Sequence, residues 1–593
     1  MHLKGKLYKF AEVFFYNYTF FLSFYAILII MALIPYYENG AVILGGEGNY
    51  VLDFSEHLQK FGYLWFPTYN TGMPNLSPSG TGLNIIFLYL IENLTKSAAV
   101  TNFVLIFSIY FFPFLAVFLA AKELKLSPAL SFIASFFYVV NPFTLYYLIC
   151  LNQWNVFVIT VMPLFFWLIL KNYHNNFKFF SYFGLISACF SFAYTNIPFL
   201  AIIHFSILLS VLFVSYYYNK AFVMRQILGK YSVVLTSFIL FNLWWILGLF
   251  KTISDAKKIY TRSFAESWLN ETVGDWGQLI ITEVFSLRMI ITQRTDYDFY
   301  SFWYNSPIAI IATLVPILIV VFLVAIGNKK NNNILNVFVL GVLLIVLFLI
   351  KGNAMPFGFI YTLLFKYVPF FYIFKTPIEK FSILYIFIHS MLLLFVIREL
   401  NWHKYYKPVV WLFVAYLIFC SIPVVIGGII PDYDVGNWGK VSRKYKDKSE
   451  YKILRETINS DDFEYRILSL PGNGNYQVLM FDADQRAYTG LDPLLMNTNK
   501  PLIPAYSGID GMNFLLFENI STSYYEKLFG IYNIGKIIIN EDLEPWFGFV
   551  EKEGAPALKD IFNDKGMPFQ RWGNVTVYDN NSNFLPRIYA AGY

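Results

Sequence analysis

Two carboxylates next to the first apolar segment are the residues best placed to do chemistry. Glu47 and Asp53 lie in the run Gly45-Gly46-Glu47-Gly48-Asn49-Tyr50-Val51-Leu52-Asp53, which follows a membrane-length apolar stretch. Carboxylates are sparse, because 14% of the residues are charged and 57% are hydrophobic. An acid where the chain leaves a bilayer suits an enzyme of the membrane surface, which must activate a polar acceptor beside a lipid-linked donor. His57 follows in the same loop, as a substrate ligand or as an ordinary polar residue.

The elements that position these acids are predicted to be membrane helices. A chain of 593 residues with a mean hydropathy of +0.52 and 21% aromatic residues cannot be a soluble globular protein. Soluble domains are about one-quarter charged, and apolar runs of about 20 residues are typical of spanning helices. We place eleven spans at residues 14–34, 99–121, 128–148, 155–172, 179–197, 198–217, 229–250, 306–326, 334–351, 380–398 and 408–430.

The basic residues predict how these spans are oriented. The first segment has no small-residue cleavage site after it, so we expect it to remain as an anchor. With a cytoplasmic N-terminus, every predicted inner loop contains lysine or arginine, as in other membrane proteins. Loops 35–98 and 251–305 and the region from 431 then lie outside the plasma membrane. This topology explains the net charge of +6, so the charge indicates no nucleic-acid partner.

Two domains are expected, a membrane domain at 1–430 and an extracytoplasmic α/β domain at 431–593. Strand-like runs at 465–471, 534–540 and 574–578 and a helix-like run at 521–529 favour this mixed class. All three cysteines lie in or beside apolar segments, so the outer domain does not depend on disulfides. The last residues, 586–593, have a strand-like composition, which predicts that this domain is truncated.

Two shorter apolar stretches lie between the predicted spans, at residues 82–94 and 358–374. Both are too short or too interrupted to cross a bilayer, and both fall on the predicted outer side. Interfacial or re-entrant helices are expected there, and such helices commonly wall a cavity.

Other polar residues offer further candidate sites. Asn141 precedes a proline at the end of the third span, where it either caps or breaks a helix or belongs to an active site. Asp296 and Asp298 are spaced by one residue and can hold a divalent cation such as Mg²⁺ or Mn²⁺, although such pairs also arise by chance. The chain has no phosphate-cradling glycine loop, zinc spacing or nucleophile elbow, which disfavours a nucleotide-dependent enzyme.

Short motifs from several regions of the chain form a recognisable set. They are Gly46-Glu47-Gly48-Asn49-Tyr50, Trp65-Phe66-Pro67, Asn70-Thr71-Gly72-Met73-Pro74-Asn75, Val139-Val140-Asn141-Pro142-Phe143, Lys375-Thr376-Pro377-Ile378-Glu379-Lys380-Phe381, Arg466-Ile467-Leu468-Ser469-Leu470-Pro471 and Pro586-Arg587. Together they resemble the GT-C glycosyltransferases, in the branch that contains the large cell-wall arabinofuranosyltransferases and their bacterial and archaeal multi-pass relatives. Families of this kind usually have aspartate at the position of Glu47, so this chain keeps the carboxylate and adds a methylene.

The resemblance implies an inverting transferase that uses a polyprenyl-phosphate sugar donor. Its acceptor would be a glycan, a glycolipid or a protein on the outer face. Glu47 would then be the general base, and Asp53 a second acid or a metal ligand. Lys375 and Lys380 flank a proline at the predicted outer membrane surface, where they would contact the lipid phosphate. The alternative is that both lysines are interfacial anchors.

Two other classes of function remain open from the sequence. One is a transporter or flippase of lipid-linked sugars, which the scarcity of charged residues within the spans and the absence of an obvious inverted repeat disfavour. The other is a non-catalytic scaffold for surface polysaccharide assembly. Substitution of Glu47 distinguishes the enzyme from the scaffold.

Overall fold

The chain forms two compact units in its computed structural model. We call residues 1–34 and 106–431 the membrane unit, and residues 35–105 and 432–593 the mixed unit. The predicted outer loop 35–98 thus groups with the C-terminal region. The structure describes residues 17–44, 54, 58, 65–66, 73–74, 82–219, 221–259, 266–267, 269–270, 286–288, 291, 298–327, 334–400, 406–434, 440–441, 443–463, 465–470, 478–481, 487–490, 494, 498–503, 529–530, 532–545 and 555–580.

Helices dominate the membrane unit and also occur in the mixed unit. In chain order they are α1 (Tyr18–Leu33), α2 (Gly82–Thr95), α3 (Ala98–Glu123), α4 (Pro128–Val140), α5 (Pro142–Ile149), α6 (Gln153–Asn172), α7 (Asn176–Cys189), α8 (Ile197–Asn219), α9 (Met224–Ile259), α10 (Asp298–Tyr304), α11 (Pro307–Gly327), α12 (Ile334–Ile350), α13 (Gly358–Tyr367), α14 (Pro377–Leu400), α15 (Tyr406–Gly427), α16 (Ser449–Asn459) and α17 (Ala555–Asp564).

At least one helix overlaps each of the eleven predicted spans. Among the described residues, seven helices are long and apolar enough to cross a membrane, or eight if α4 and α5 form one bent span. The chain is therefore an integral membrane protein, but the predicted number of about eleven spans is not confirmed. The predicted span 179–197 illustrates the difference, because α7 has 14 residues and a 3-10 turn follows it at Ser191–Tyr194.

The third predicted span is broken at Asn141. Helices α4 and α5 meet there at an angle of 62°. Pro142 has no N–H to continue the α4 hydrogen-bond pattern, and it disfavours helical backbone at the residue before it. Asn141 accordingly adopts an extended backbone, and its Oδ1 accepts a hydrogen bond from Thr144 N at 3.0 Å. The same residue therefore ends one helix and caps the next.

Helices α7 and α9 pack closely because a small residue lies between them. A Cβ added to Gly184 would lie 2.3 Å from the ring of Phe241, so only glycine permits this approach. Asn242 Nδ2 donates to Ser187 Oγ at 2.9 Å, and Trp245 Nε1 donates to Asn242 Oδ1 at 2.9 Å. Small residues and interhelical hydrogen bonds are what hold helices together in a bilayer.

Several helix ends with basic residues meet at one end of the membrane unit. Lys230 Nζ of α9 donates to Asn176 Oδ1 of α7 at 2.5 Å and to the carbonyl oxygen of Tyr173. The Arg398 guanidinium of α14 lies 4.9 Å from the ring centroid of Tyr217 on α8. This grouping is what a single membrane face requires; the assignment of that face to the cytoplasm stays a prediction.

The mixed unit contains two five-stranded sheets. The strands are β1 (Val42–Ile43), β2 (Trp65–Phe66), β3 (Met73–Pro74), β4 (Tyr433–Asp434), β5 (Lys440–Val441), β6 (Lys444–Tyr445), β7 (Arg466–Leu470), β8 (Val478–Phe481), β9 (Ala487–Gly490), β10 (Leu502–Ile503), β11 (Ile534–Asn540), β12 (Leu543–Pro545), β13 (Phe569–Trp572) and β14 (Val575–Asp579). The strand orders are β10-β7-β11-β14-β13 and β12-β8-β9-β5-β4, and β1 pairs with β6 as β2 does with β3.

The first sheet confirms the three predicted strands, which are β7, β11 and β14. β7 and β11 are parallel, with Leu468 opposite Ile537, and β14 runs antiparallel to β11. The β-branched run of β11 is buried against α17, where Phe562 completes the core. The predicted helix 521–529 lies outside the described residues except for its last residue.

Gly535 produces an irregularity in this sheet. The register of β11 against β7 shifts between Ile534 and Lys536. A Cβ on Gly535 would lie 2.5 Å from the Cβ of Tyr465, so a larger residue would displace that tyrosine. Glycine in a strand interior often marks such a close approach.

Both stretches predicted as short interfacial elements are helical. In α2 the exposed apolar residues recur at helical spacing, and they are Leu83, Ile86, Phe87, Leu90 and Leu94. The stretch 358–374 forms α13 and a 3-10 turn at Phe371–Phe374. The 3-10 turn ends directly before Lys375.

Candidate functional site

The acids singled out by the sequence do not have a described geometry. Glu47, Asp53, His57 and Asp296 lie outside the described residues. Asp298 is the first residue of α10, but its side chain is outside the described set. Their roles therefore stay predictions.

Lys380 lies in a buried, aromatic environment at the start of α14. Its Nζ is 3.9 Å from the ring centroid of Phe199 on α8 and 3.3 Å from Oε2 of Glu379. The residue is only 8% exposed. An ammonium group over an aromatic face is stabilised by the ring quadrupole, most strongly where water is excluded. Lys380 is thus held within the bundle, and its charge is positioned between α8 and α14.

The two helices that meet at Lys380 begin in the same way. A 3-10 turn, Ser191–Tyr194 before α8 and Phe371–Phe374 before α14, is followed by a two-residue bend. Leu200 N then donates to the carbonyl oxygen of Asn196 at 3.0 Å, and Lys380 N donates to that of Thr376 at 3.3 Å. Each helix start leaves backbone N–H groups without intrahelical partners and carries a positive partial charge.

Lys375 adds a second ammonium group at this junction. Burial lowers the pKa of Lys375 below its ordinary value, the nearby charge of Lys380 lowers it further, and Glu379 partly opposes both effects. The surroundings of Lys375 therefore disfavour its positive charge. An anion placed beside the two lysines would reverse this, because an opposite charge favours the charged form. The junction is suited to a phosphate group.

The structure accounts for Asn141 by its role at the helix corner. The residue is fully buried. Its Nδ2 donates to the carbonyl oxygens of Phe137 and Tyr138, at 3.2 and 2.7 Å, and to Thr144 Oγ1 at 2.9 Å. With the Oδ1 bond to Thr144 N, its amide group is occupied by its own neighbours. The capping alternative explains this residue without a substrate.

Neither the first 3-10 turn nor the role of Phe199 was predicted from the sequence. Pro198 marked a boundary between two predicted spans, which was the available signal. Near this turn the hydroxyl of Tyr194 is buried, as is Nε1 of Trp154, and neither has a hydrogen-bond partner among the described residues. The Trp154 ring stacks on Phe192 at 5.2 Å. Tyr194 is the last residue of this 3-10 turn, and Trp154 lies in the first turn of α6.

The described residues contain no cluster that could hold a metal ion. No group of three or more histidine, cysteine, aspartate or glutamate side chains comes together among them. Asp296 and Asp298 were the predicted ligands, and their side chains lie outside that set. A divalent cation therefore stays a prediction of the sequence.

A second charged network, which was not predicted from the sequence, lies in the mixed unit. Asp542, 8% exposed, accepts hydrogen bonds from Lys448 Nζ, Tyr451 OH and Asn574 Nδ2, each at 2.9 Å. Burial alone would raise the pKa of Asp542, but these hydrogen bonds and the charge of Lys448 lower it below the ordinary value of 3.8. Every member has a partner within the unit, so the network is structural.

Comparisons with known proteins give a structural likeness only. No protein-family model matches the chain, and no curated protein matches it. A cryo-electron microscopy structure of the arabinofuranosyltransferase AftD from mycobacteria matches over 94% of this chain, with a TM-score of 0.61 and 11% identity.

Two structures of a mutant of that enzyme also match over 94% of this chain, with TM-scores of 0.58 and 0.52 and identities of 12% and 10%. The chain spans about two-fifths of the length of these proteins, 39% in the first case and 41% in the others. The resemblance to the GT-C arabinofuranosyltransferase branch is thus confirmed at the level of the fold: this chain is an integral membrane protein with a fold similar to that of arabinofuranosyltransferase AftD.

Proposed function

We propose that this protein is a GT-C-type glycosyltransferase of the plasma membrane, with a cytoplasmic N-terminus and the mixed unit outside. It transfers a sugar from a polyprenyl-phosphate donor to a glycan, glycolipid or protein on the outer face. The observation that carries the proposal is the fold likeness to a membrane arabinofuranosyltransferase along 94% of the chain. Arabinose is the sugar named for that enzyme, and the sugar of this one is left to the experiment below.

The reaction is a single displacement with inversion. The acceptor hydroxyl oxygen forms a bond to the anomeric carbon of the donor sugar. The bond from that carbon to the phosphate oxygen breaks, and the polyprenyl phosphate leaves with the electron pair. Glu47 takes the hydroxyl proton as general base. Asp53 is the second acid of this loop, and His57 contacts the substrate.

The junction of α8 and α14 supplies the charge that the leaving phosphate requires. Lys380 is held over Phe199, and Lys375 lies close enough for their charges to interact. Positive groups fixed in advance stabilise the charge that develops on a leaving phosphate, because they need no reorganisation during the reaction. The N-terminus of α14 adds backbone N–H groups of the same sign. Asn141 does not contact the substrate in this proposal. It ends α4 and caps α5, and so fixes the angle between these two helices.

A divalent cation is the remaining component of the proposal. Asp296 and Asp298 would hold it through carboxylate oxygens, which suit Mg²⁺ and Mn²⁺. Bound there, the cation would bring positive charge to the donor phosphate. Removal of divalent cations by a chelator, followed by their return, tests this part separately.

The decisive experiment is transfer of radiolabelled sugar by the full chain in nanodiscs. A panel of polyprenyl-phosphate sugars is offered as donors, with and without a divalent cation. Wild type is compared with Glu47→Gln and with Glu456→Gln, a matched change at an exposed acid of α16. We expect transfer by wild type and Glu456→Gln, and a loss of at least about 100-fold in Glu47→Gln, since general-base catalysis contributes about 10²–10⁴.

Each other outcome has a definite reading. Equal transfer by wild type and Glu47→Gln would keep the enzyme and remove Glu47 as its base. Donor binding by wild type without any transfer would contradict the proposal and favour the scaffold. Movement of the donor across a proteoliposome membrane without transfer would favour the flippase.

A further inference from the structure

The segment between α12 and α14 exposes an unusual number of large apolar side chains. They lie before, along and after α13, each between 48% and 82% exposed: Met355, Phe357, Phe359, Leu363, Tyr367 and Phe370. Single exposed apolar residues are normal on any protein, but a continuous group of them marks a surface that something covers.

The opposite face of α13 is fixed to the membrane unit. Gly358, Tyr361 and Phe365 are buried, at positions one and two turns apart. The Tyr361 ring packs edge-on against Phe371 at 5.3 Å, and its hydroxyl donates to the carbonyl oxygen of Phe374 at 2.7 Å. The helix is therefore apolar on the side that the protein covers and on the side that it leaves open. A helix of this kind is stable where its open side is also out of water.

The lengths of the connections keep this surface near the bilayer. Seven residues separate α13 from the end of α12, and nine separate it from the start of α14. Part of the second connection is the 3-10 turn, which is shorter than an extended chain. Apolar side chains such as Leu344 and Ile345 are also exposed on α12 itself, at 53% and 61%. At 10 residues α13 is about 15 Å long, too short to cross a hydrocarbon core of about 30 Å.

The charges on this segment are complementary to those of an anionic phospholipid surface. No aspartate or glutamate occurs from Ala354 to Ile378, whereas Lys366 and Lys375 do. Lys366 is exposed in the last turn of α13. Lysine beside large apolar side chains is typical of helices that lie in the headgroup region of a membrane.

We propose that residues Met355–Phe370 form an anchor in the phospholipid surface, with the exposed face of α13 at the boundary between headgroups and acyl chains. The bond from Tyr361 to Phe374 joins this anchor to the 3-10 turn that precedes Lys375. The anchor thereby sets the depth of Lys375 and Lys380 in the membrane. That last consequence rests on the proposed function; the anchoring itself does not.

The test is the accessibility of spin labels in the full chain in nanodiscs of phosphatidylcholine and phosphatidylglycerol. Labels are placed at Phe359→Cys or Leu363→Cys, in a Cys189→Ser background because Cys150 and Cys420 are buried. Collisions with oxygen, which partitions into lipid, are compared with collisions with a water-soluble nickel chelate. Two reference sites are Ile345→Cys, exposed on the apolar helix α12, and Lys452→Cys, exposed on α16 of the mixed unit.

We expect the ratio of oxygen to nickel collisions at 359 and 363 to be several-fold higher than at 452 and to approach that at 345. A ratio equal to that at 452 would mean that water covers the face, and would overturn the proposal. Low collision rates with both reagents would mean a protein cover, such as a second copy of this chain, and would also overturn it. The Cys189→Ser chain without an introduced cysteine is treated with the spin label in parallel. It should give no signal, which shows that the native cysteines do not react.

Activity provides a second reading that separates the two proposals. If the labels report lipid contact but the chain transfers no sugar, the anchor stands and the proposed function fails. If the chain transfers sugar and the labels report water, the function stands and the anchor fails.

Discussion

The two units of this protein treat buried positive charge differently. In the mixed unit, cations face carboxylates within the fold, in the pairs Lys448–Asp542 at 2.9 Å, Lys536–Asp579 at 2.7 Å, Lys559–Glu541 at 2.5 Å and Arg455–Asp447. In the membrane unit, Lys380–Glu379 is the only ion pair between two residues that the structure describes. The same glutamate also acts on Lys375, where it is outweighed by burial and by Lys380.

We interpret the Asp542 network as charge that maintains the fold, and the α8–α14 junction, under the proposed function, as charge that binds a ligand. A network such as that of Asp542 is satisfied internally, so its loss should destabilise the mixed unit without touching the reaction. At the α8–α14 junction, burial and the charge of Lys380 lower the pKa of Lys375, and a ligand of opposite sign would favour its charged form again. The predictions below test this contrast, beginning with the largest effect.

Replacing Lys380 by methionine should reduce sugar transfer by about 10²–10³-fold, the usual result of removing one group that stabilises developing negative charge. Methionine keeps the length of the side chain and its packing on Phe199, so the thermal stability should hardly change. Steady-state transfer rates and thermal unfolding of the same nanodisc samples measure both quantities.

Lys448→Met is the matched change in the mixed unit. It should lower stability and leave transfer intact. Equal loss of transfer in the two variants would remove the distinction between the units.

Asp542→Asn should lower the local stability around β11 by about 3 kcal/mol, because removing one partner of a buried ion pair costs about 3–5 kcal/mol. Hydrogen exchange of residues 534–545 in the full chain measures this. Protection of α14 should be unchanged in the same experiment. If protection falls in both regions, the network supports more than its own unit.

The stabilisation from Asp542 should disappear in acid. Its pKa is lower in the folded protein than the ordinary value of 3.8, so the contribution is fully present well above 3.8 and is lost as the pH falls through the folded-state pKa. The difference in exchange between wild type and Asp542→Asn should therefore shrink below about pH 4. A difference that is constant from pH 7 to pH 3 would show that the carboxylate is not the source.

Arg571→Ala should have the smallest effect. The Arg571 side chain is 59% exposed and lies 3.5 Å from Glu541, which also binds Lys559. Exposed pairs contribute at most about 1 kcal/mol, and commonly less. A loss of protection in β14 as large as that of Asp542→Asn would mean that exposure is a poor guide to the value of an ion pair in this unit.

The sequence predicted the elements that depend on local composition. At least one helix overlaps each predicted span, and the strands at 465–471, 534–540 and 574–578 appear with shifts of at most one residue at either end. Long apolar runs and β-branched runs impose these elements almost independently of their surroundings. A helix break at Asn141 was one of the alternatives that the Asn141-Pro142 dipeptide predicted.

Contacts between distant parts of the chain could not be predicted. The contact between the Phe199 ring and the Lys380 ammonium group joins residues that are 181 positions apart in the sequence. No local sequence pattern predicts such a contact. The Asp542 network likewise combines a linker lysine, a helix tyrosine and a loop asparagine. The number of spans was uncertain for a different reason: hydropathy detects apolar length but not the 3-10 turn that ends α7 and starts the approach to α8.

The corner at Asn141 has a consequence for the electrical state of the membrane. Every residue of α5 is buried, and the amide group at its head is fully hydrogen-bonded to its neighbours. An apolar helix enclosed on all sides leaves no chain of water molecules along it for ions or protons to follow. The corner at Asn141 therefore offers ions and protons no path along α5.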